Sequence, residues 1–174
     1  LCENNPVNYA HGGKLTKWML QRLNGEKDDV SPYTSGKMLG QGYQYLVIMG
    51  GTNDINSDLS VDHITNNLAQ IYSIARQDGM KVIASTISPF NKKSSVDKNE
   101  KVKQVNDWIR QQQATGTVDG IIDFYNFLVG EEPCMKSSYV SSCNNVHPST
   151  AGYKAMAQHF VQQYFPDTSA TSGA

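Results

Sequence analysis

The chain has 174 residues and a mass of 19.2 kDa, a length that suits one domain with a buried core. It carries 15 basic and 16 acidic residues, so its formal charge is -1 and its pI about 6.5, and no basic run offers a surface for nucleic acid. The longest apolar stretch, Tyr45 to Met49, is far shorter than the roughly 20 residues that span a bilayer, so we expect no membrane span in this sequence.

The first half of the chain predicts two strands and two helices. Residues 6–9 favour a short strand, and a helix follows through Leu15, Trp18, Met19 and Leu23. The continuous apolar run from Tyr45 to Met49 predicts a strand buried on both faces. Apolar residues then recur at three- and four-residue spacing from Val61 to Ala75, which predicts an amphipathic helix with Ser60 as its N-cap and Gly79 just past its end.

The second half repeats this alternation. Lys81 to Thr86 reads as a buried strand that Pro89 ends, and Gly120 to Phe124 reads as another. The helix between these strands runs through Val102, Val105, Trp108 and Ile109. The last helix, which Pro166 ends, carries a stripe of Tyr153, Met156, Phe160 and Tyr164.

Strands that alternate with helices predict an α/β fold with a parallel sheet and helices on both of its faces. We expect one domain over residues 1–166, followed by a flexible polar tail over residues 167–174. In such sheets ligands bind outside the carboxyl ends of the strands, so the loops after the strands are where chemistry is expected.

Three segments at such positions stand out. Gly51-Thr52-Asn53-Asp54 follows the most apolar strand, His147-Pro148 precedes the last helix, and Asn8 to Gly13 covers the end of the first predicted strand and the turn after it. Each alone could be an ordinary turn, but their order and spacing resemble three of the blocks of the SGNH (GDSL-type) hydrolase family. The resemblance runs from about Asn8 to Phe165. Three further stretches, residues 82–90, 105–110 and 151–157, resemble the sequences of secreted members of the family that act on carbohydrate esters.

The resemblance implies a three-layer α/β/α sandwich with a flavodoxin-like parallel sheet. It implies a serine ester hydrolase that removes acetyl or other short acyl groups from carbohydrate, with no cofactor and no metal. The remaining histidines, His11, His63 and His159, show no metal-ligand spacing and are expected on the surface or on helix faces.

Ester hydrolysis through a serine needs an imidazole to carry the proton and donors aimed at the developing oxyanion. The resemblance implies that His147 is the general base and that the Asn53 amide and the Gly13 N–H are oxyanion donors. It gives Asp54 the role of bracing the turn. Asn144 stands where the family usually carries the Asp that orients the His. It can accept a hydrogen bond but supplies no charge, an exchange that lowers turnover about 10⁴-fold in a serine protease.

The family's first block, a strand ending in Gly-Asp-Ser, is absent from this sequence. That strand would lie between the strand near Val7 and the strand from Tyr45 to Met49. Without it, two rows of backbone N–H and C=O groups lack partners, which costs more than a domain's net stability allows. We therefore expect a separate polypeptide to supply the strand and its nucleophile, either a cleaved piece of the same precursor or a neighbouring subunit.

Two features predict a secreted or extracellular protein. Charged residues make up only 18% of the chain. Cys134 and Cys143 flank a loop rich in Ser and Tyr and are close enough in sequence to form a disulfide; reduced thiols are the alternative. Cys2 would then be unpaired, or paired outside this chain.

Two other functions remain open at this stage. A catalytically inactive relative could serve as a carbohydrate-binding or structural assembly subunit. The absence of the Gly-Asp-Ser block with its nucleophilic serine and the presence of Asn144 both favour this function. A flavodoxin-like binding domain would need a phosphate-cradling glycine-rich loop, for which Gly50-Gly51 and Gly12-Gly13 are too short.

Overall fold

The structure, a computed structural model, describes residues 7–26, 38–143 and 146–166. Strands and helices alternate along these ranges, as the sequence predicts. In chain order they are α1 (Thr16–Leu23), β1 (Tyr45–Ile48), α2 (Thr52–Asn56), α3 (Val61–Gln77), β2 (Lys81–Ser85), α4 (Val96–Ala114), β3 (Gly120–Ile122), α5 (Phe124–Leu128) and α6 (Thr150–Tyr164).

The three strands form one parallel sheet in the order β1-β2-β3. In the register, Val47 lies beside Ile83, and Ile83 lies beside Gly120. The parallel α/β fold is therefore confirmed. Because all three strands run in the same direction, the loops that follow them all leave the sheet at the carboxyl ends of the strands.

Helices cover both faces of the sheet. On one face, Val82 and Ala84 of β2 belong to the main core, which α3 and α4 complete. On the other face, Gly120 lies beside Ile83, and a Cβ added to Gly120 would come within 2.5 Å of the Tyr164 hydroxyl oxygen of α6. A smaller apolar cluster lies under the segment between α5 and α6; its buried members are Leu128, Met135, Val140 and Met156.

Helix α3 shows how closely sequence pattern and structure agree where the pattern is strong. The Ser60 hydroxyl accepts the backbone N–H of His63 at 3.1 Å, which makes Ser60 the N-cap as predicted. The apolar positions of α3 face the core, and Gly79 follows the helix with a φ of +88°. Left-handed backbone of this kind ends helices and suits glycine.

The predicted strand near Val7 is wrong. Residues 7–10 have no regular secondary structure, and Val7 is 54% exposed. A strand is stable only when a neighbour satisfies its backbone groups. Among the described residues, β1 pairs with β2 alone and offers its other edge to no strand. The short apolar run at Val7 therefore has nothing to pair with.

The prediction that Tyr45 to Met49 is buried on both faces is also wrong. The strand ends at Ile48, and Tyr45, Val47 and Met49 remain 49%, 51% and 43% exposed. These three side chains point to the face that carries Ile83, which is only 4% exposed. Helix α6 lies near β3 on this face, so nothing in the described part of the chain covers β1 there.

Two predicted details of the second half also differ from the structure. Phe124 begins α5 instead of ending β3, because the Asp123 carboxylate accepts the Asn126 N–H at 3.1 Å and caps a helix there. Tyr153 was expected on the core stripe of the last helix but is 48% exposed, whereas Met156 is buried.

Candidate active site

The exit of β1 is crowded enough to require glycine. Gly51 has a φ of +118°, and a Cβ there would lie 2.7 Å from Ile87 Cδ1 and 3.1 Å from Ile64 Cγ2. A Cβ on Gly50 would lie 2.7 Å from the Met19 sulfur. The chain therefore turns tightly between α1, α3 and the exit of β2, and this turn delivers residues 52–56 as the short helix α2.

Asp54 ties this turn to the start of α1. Its carboxylate, which is fully buried, accepts the Thr16 backbone N–H at 3.0 and 3.2 Å and the Thr16 hydroxyl at 2.6 Å. Leu15 occupies the N-cap position of α1 and provides no side-chain acceptor. A carboxylate at a helix N-terminus satisfies free N–H groups and interacts favourably with the helix dipole. Asp54 therefore serves as the missing cap from a distant part of the chain.

The hydrogen-bond chain continues from Thr16 to α3. The Thr16 hydroxyl gives its hydrogen to Asp54, so it can only accept from the Asn67 amide nitrogen at 3.0 Å. That nitrogen also lies 3.1 Å from His63 Nε2. A ring nitrogen that carries no hydrogen can accept the second N–H of this amide. His63 lies on a helix face, as expected, but it is part of this network and not an isolated surface residue.

Asn53 is held beside the Gly12-Gly13 turn. Its half-buried side-chain amide donates to the Lys14 carbonyl at 3.0 Å. Lys14 adjoins Gly13, whose φ of +75° is a left-handed conformation. A primary amide has two N–H groups, and one of those of Asn53 has no acceptor among the described residues. The structure therefore brings together Gly13, Asn53 and Asp54, the three residues that the sequence singled out on this side.

His147 is positioned by a different set of contacts. It is exposed, and its Nδ1 lies 3.5 Å from the Tyr153 hydroxyl, the outer limit of a hydrogen bond. The next residue, Pro148, is buried, and the Ser149 N–H donates to the Tyr139 carbonyl at 2.7 Å. The Ser149 hydroxyl also accepts the N–H of Gly152 at 3.2 Å and caps α6. Asn144 lies outside the described residues, as do Cys2 and the tail over residues 167–174.

The exits of β2 and β3 are joined by a partly buried polar cluster. The Asp123 carboxylate accepts the Thr86 hydroxyl at 3.0 Å and Arg110 Nε at 3.0 Å. Burial opposes the ionisation of Asp123. The hydrogen bonds from Arg110, the Asn126 N–H and Thr86 outweigh it and hold the pKa of Asp123 below its usual value.

Two buried asparagines were not assigned a role from the sequence. The Asn106 amide pairs with both backbone groups of Ile87, accepting its N–H at 2.7 Å and donating to its C=O at 2.9 Å. Asn106 falls on the apolar stripe of α4, beside Val102 and Ile109, and a polar residue there was a signal that could have been used. Asn91 lies in the loop after β2 and bonds to the segment between the two cysteines. No sequence pattern marked Asn91.

The predicted disulfide joins Cys134 to Cys143, with Cα atoms 5.2 Å apart. It closes residues 134–143 into a loop that we call the cysteine ring. The ring lies directly before the His147 segment in the chain.

Comparison with known proteins identifies the family of the chain. The model of the GDSL-like lipase/acylhydrolase family matches residues 1–155, and the chain belongs to this family of ester hydrolases. Among curated proteins, none matches the sequence significantly.

Solved structures share the fold at low sequence identity. A member of the lipolytic protein G-D-S-L family from Veillonella parvula DSM 2008 has a TM-score of 0.70 and 22% identity, over 95% of this chain and 82% of that one. A GDSL-like lipase from Bacteroides thetaiotaomicron VPI-5482 has a TM-score of 0.68 and 21% identity, over 87% of this chain and 71% of that one.

Proposed function

We propose that this chain provides the base and the oxyanion donors of a serine ester hydrolase that removes acetyl or other short acyl groups from carbohydrate. His147 takes the proton from the serine hydroxyl as it attacks the ester carbonyl and returns it to the leaving alcohol. The Asn53 amide and the Gly13 N–H stabilise the negative charge that develops on the carbonyl oxygen. Asn144 orients the His147 ring through its side-chain oxygen.

One observation carries this proposal: the hydrogen bond from Asn53 to the Lys14 carbonyl. It fixes the amide next to Gly13 and leaves a second N–H of the same amide as a donor. Two preorganised donors from separate loops are what the transition state of acyl transfer requires, since donors that need no reorganisation stabilise it most. The buried Asp54–Thr16 link supports the proposal further, because it holds both loops in place.

The carbohydrate substrate and the location rest on independent support. The near-neutral charge of the chain suits an uncharged sugar ester. The sequence resemblance to family members that act on carbohydrate esters favours the same substrate. The disulfide supports a secreted or extracellular protein, because such bonds persist in oxidising compartments. In the described part of the chain, no helix has both the length and the apolar character to cross a bilayer.

We also propose that the nucleophile arrives on a strand that pairs with the open edge of β1. Tyr45, Val47 and Met49 are about half exposed in a row on one face of that strand. The edge of β1 that pairs with no strand among the described residues offers backbone donors and acceptors. The occupant that fits is an apolar strand followed by a covering helix, from another part of the precursor or from a neighbouring subunit. Such a strand would run parallel to β1 and end near the Asn53 loop.

Ester hydrolysis by the protein isolated in its native form, with whatever segment remains bound, tests the catalytic roles. Asn53→Ala is expected to lower kcat on p-nitrophenyl acetate about 100- to 1,000-fold. His147→Ala is expected to lower kcat about 1,000-fold or more. Asn56→Ala, on the exposed side of the same short helix, and His159→Ala serve as matched controls and should keep wild-type kcat.

The outcomes separate the candidate functions. A serine-directed fluorophosphonate should abolish turnover and label a serine on the strand that pairs with β1. Release of acetate from an acetylated xylo-oligosaccharide supports the carbohydrate substrate, whereas turnover of the aryl ester alone counts against it. Absence of both label and turnover would favour the inactive binding or assembly subunit.

The β1 edge is tested separately by native mass spectrometry. Val47→Glu should release the pairing strand, because it buries a charge in the apolar contact. Val96→Glu, at the start of α4 and 70% exposed, is the matched control and should leave the species intact. A cooperatively unfolding monomer of 19.2 kDa with nothing bound would contradict the pairing.

A further inference from the structure

The cysteine ring is anchored at its base by backbone hydrogen bonds. The Gly130 N–H donates to the Cys134 carbonyl at 2.8 Å, and the Lys136 N–H donates to the Leu128 carbonyl at 2.9 Å. The disulfide then joins the two ends of the ring. These contacts fix the start of the ring to α5, but they do not by themselves fix its orientation relative to the sheet.

Asn91 joins the ring to the loop that follows β2. Its side chain is completely buried, and its backbone has a φ of +61°, a left-handed conformation that asparagine tolerates better than most residues. Its side-chain oxygen accepts the Met135 N–H at 2.7 Å, and its side-chain nitrogen donates to the Ser142 carbonyl at 2.9 Å. Met135 and Ser142 each adjoin one of the two cysteines. One side chain in the loop after β2 therefore spans both sides of the disulfide.

The ring in turn holds the segment that carries His147. The Tyr139 carbonyl, at the far end of the ring, accepts the Ser149 N–H at 2.7 Å. The close approach depends on Gly152: a Cβ there would lie 2.6 Å from the Tyr139 carbonyl oxygen and 2.8 Å from Pro148 Cβ. The backbone on the carboxyl side of His147 is thus pinned to the ring. On the amino side, the chain leaves the ring at Cys143.

We infer that Asn91 is a positioning residue for His147, acting through the cysteine ring. The inference rests on the proposed role of His147 as general base. Asn91 fixes the position of the ring relative to the loop after β2. The ring fixes the backbone at Ser149, and that backbone orients the imidazole of His147. Displacement of a catalytic group by about 1 Å can cost 100-fold in rate, so a loosened ring should slow the reaction without impairing substrate binding.

A second consequence is that reduction of the disulfide should slow the enzyme. A dithiol reductant breaks the S–S bond, leaves a thiol on each cysteine and is itself converted to a disulfide. The opened ring keeps its hydrogen bonds to Asn91 at each end but loses the covalent link that makes them act together.

Asn91→Gly tests the inference because glycine keeps the left-handed backbone and removes the side-chain hydrogen bonds to Met135 and Ser142. We expect kcat on p-nitrophenyl acetate to fall about 10- to 100-fold, with KM changed less than about twofold. Amide hydrogen exchange at Ser149 should accelerate about tenfold or more. A role confined to overall stability would leave kcat of the folded fraction unchanged, which circular dichroism checks.

Asp58→Gly is the matched control. Asp58 has the same φ of 61° but lies exposed in the loop after α2, where its side chain pairs with Lys98 of α4 and not with the ring, so both kcat and the exchange at Ser149 should remain at wild-type values. Reduction of the wild-type protein with dithiothreitol should reproduce the effects of Asn91→Gly. Because the substitution and the reduction both loosen the cysteine ring, their combined effect on kcat should be less than the product of their separate effects.

Wild-type kcat and wild-type exchange at Ser149 in Asn91→Gly would overturn the inference, as would effects of substitution and reduction that multiply. Failure of the proposed function is distinguishable. If His147→Ala retains full turnover, His147 is not the base, while faster exchange at Ser149 in Asn91→Gly would still establish the link from Asn91 to the histidine segment.

Discussion

The two sides of the candidate site are supported by different chemistry. The donor side, made of Gly13, Asn53 and Asp54, depends on a fully buried carboxylate that caps a helix and on a crowded glycine turn. The histidine side, made of His147 to Ser149 and the cysteine ring, is more exposed and depends on a disulfide and on Asn91. The donor side is thus part of the main core, whereas the histidine side is attached to it. Perturbations can therefore be aimed at one side at a time.

The largest effect should come from Gly51→Ala on the donor side. An alanine there would be strained by the φ of +118°, and its Cβ would also collide with Ile87 and Ile64. Because these two costs add together, we expect a loss of about 3 to 5 kcal/mol in the free energy of unfolding. Urea denaturation followed by circular dichroism measures it. Gly79→Ala is the matched control: its φ is +88°, but nothing lies within 4 Å of the added Cβ, so its loss should be clearly smaller. Equal losses would mean that crowding at the β1 exit is unimportant.

Asp54→Asn should destabilise the donor side by about 2 to 4 kcal/mol. The amide keeps the shape of the carboxylate but brings an N–H group towards the N–H and hydroxyl of Thr16 and removes the charge at the N-terminus of α1. Thermal or urea unfolding measures the change.

Asp62→Asn is the control for that substitution. Asp62 lies exposed in the first turn of α3, so its replacement should change stability by less than about 1 kcal/mol. A similarly small change in Asp54→Asn would show that the link between the two loops does not depend on the carboxylate charge.

On the histidine side, replacing both Cys134 and Cys143 with alanine should cost about 2 to 3 kcal/mol, the value expected for a ring of this size. Hydrogen exchange should accelerate at Ser149 while the amide of Thr16 keeps its protection, because the donor side has its own support. Acceleration at both positions would contradict the separation of the two sides.

The smallest effect concerns pH and the polar cluster between β2 and β3. Because the pKa of Asp123 in the folded protein lies below the ordinary value of 3.8, its ionised form stabilises the fold above that pH. This contribution is lost as the pH falls through the pKa of the folded state. Asp123→Asn should therefore cost about 1 kcal/mol at neutral pH and should lose less stability than wild type between about pH 5 and pH 2.

Urea titrations at stepped pH values check this prediction. Asp107→Asn removes the other carboxylate that contacts Arg110, one that is 67% exposed, and should have little effect at neutral pH. An Asp123→Asn curve parallel to wild type across the acid range would count against the Asp123 cluster as a source of acid sensitivity.

Strong local patterns allowed much of the fold to be predicted. Helix α3, with its Ser60 cap, and strand β2 follow from periodicity and capping alone, since these act over a few residues. The strand near Val7 and the two-sided burial of Val47 were mispredicted because pairing and cover depend on what lies beside a segment in space. An apolar run does not reveal whether its neighbour is present.

The candidate site was predictable only where its chemistry has a motif. Asn53 and His147 stand out because each lies in a short segment that resembles a block of the family, in the family's order. Asn91 does not, because a polar loop residue gives no sign that its side chain is buried between two backbone segments. The Asn67–His63 extension of the Asp54 network likewise depends on the packing of α3 against α1.

The half-exposed row on β1 has a consequence for how the protein can be produced. An open strand edge with apolar side chains can pair with any extended chain, including the same edge of a second copy. Recovery of soluble material should therefore fall steeply as expression rises, with the surplus in inclusion bodies. Co-expression of the proposed pairing strand, or Val47→Lys, should restore the yield.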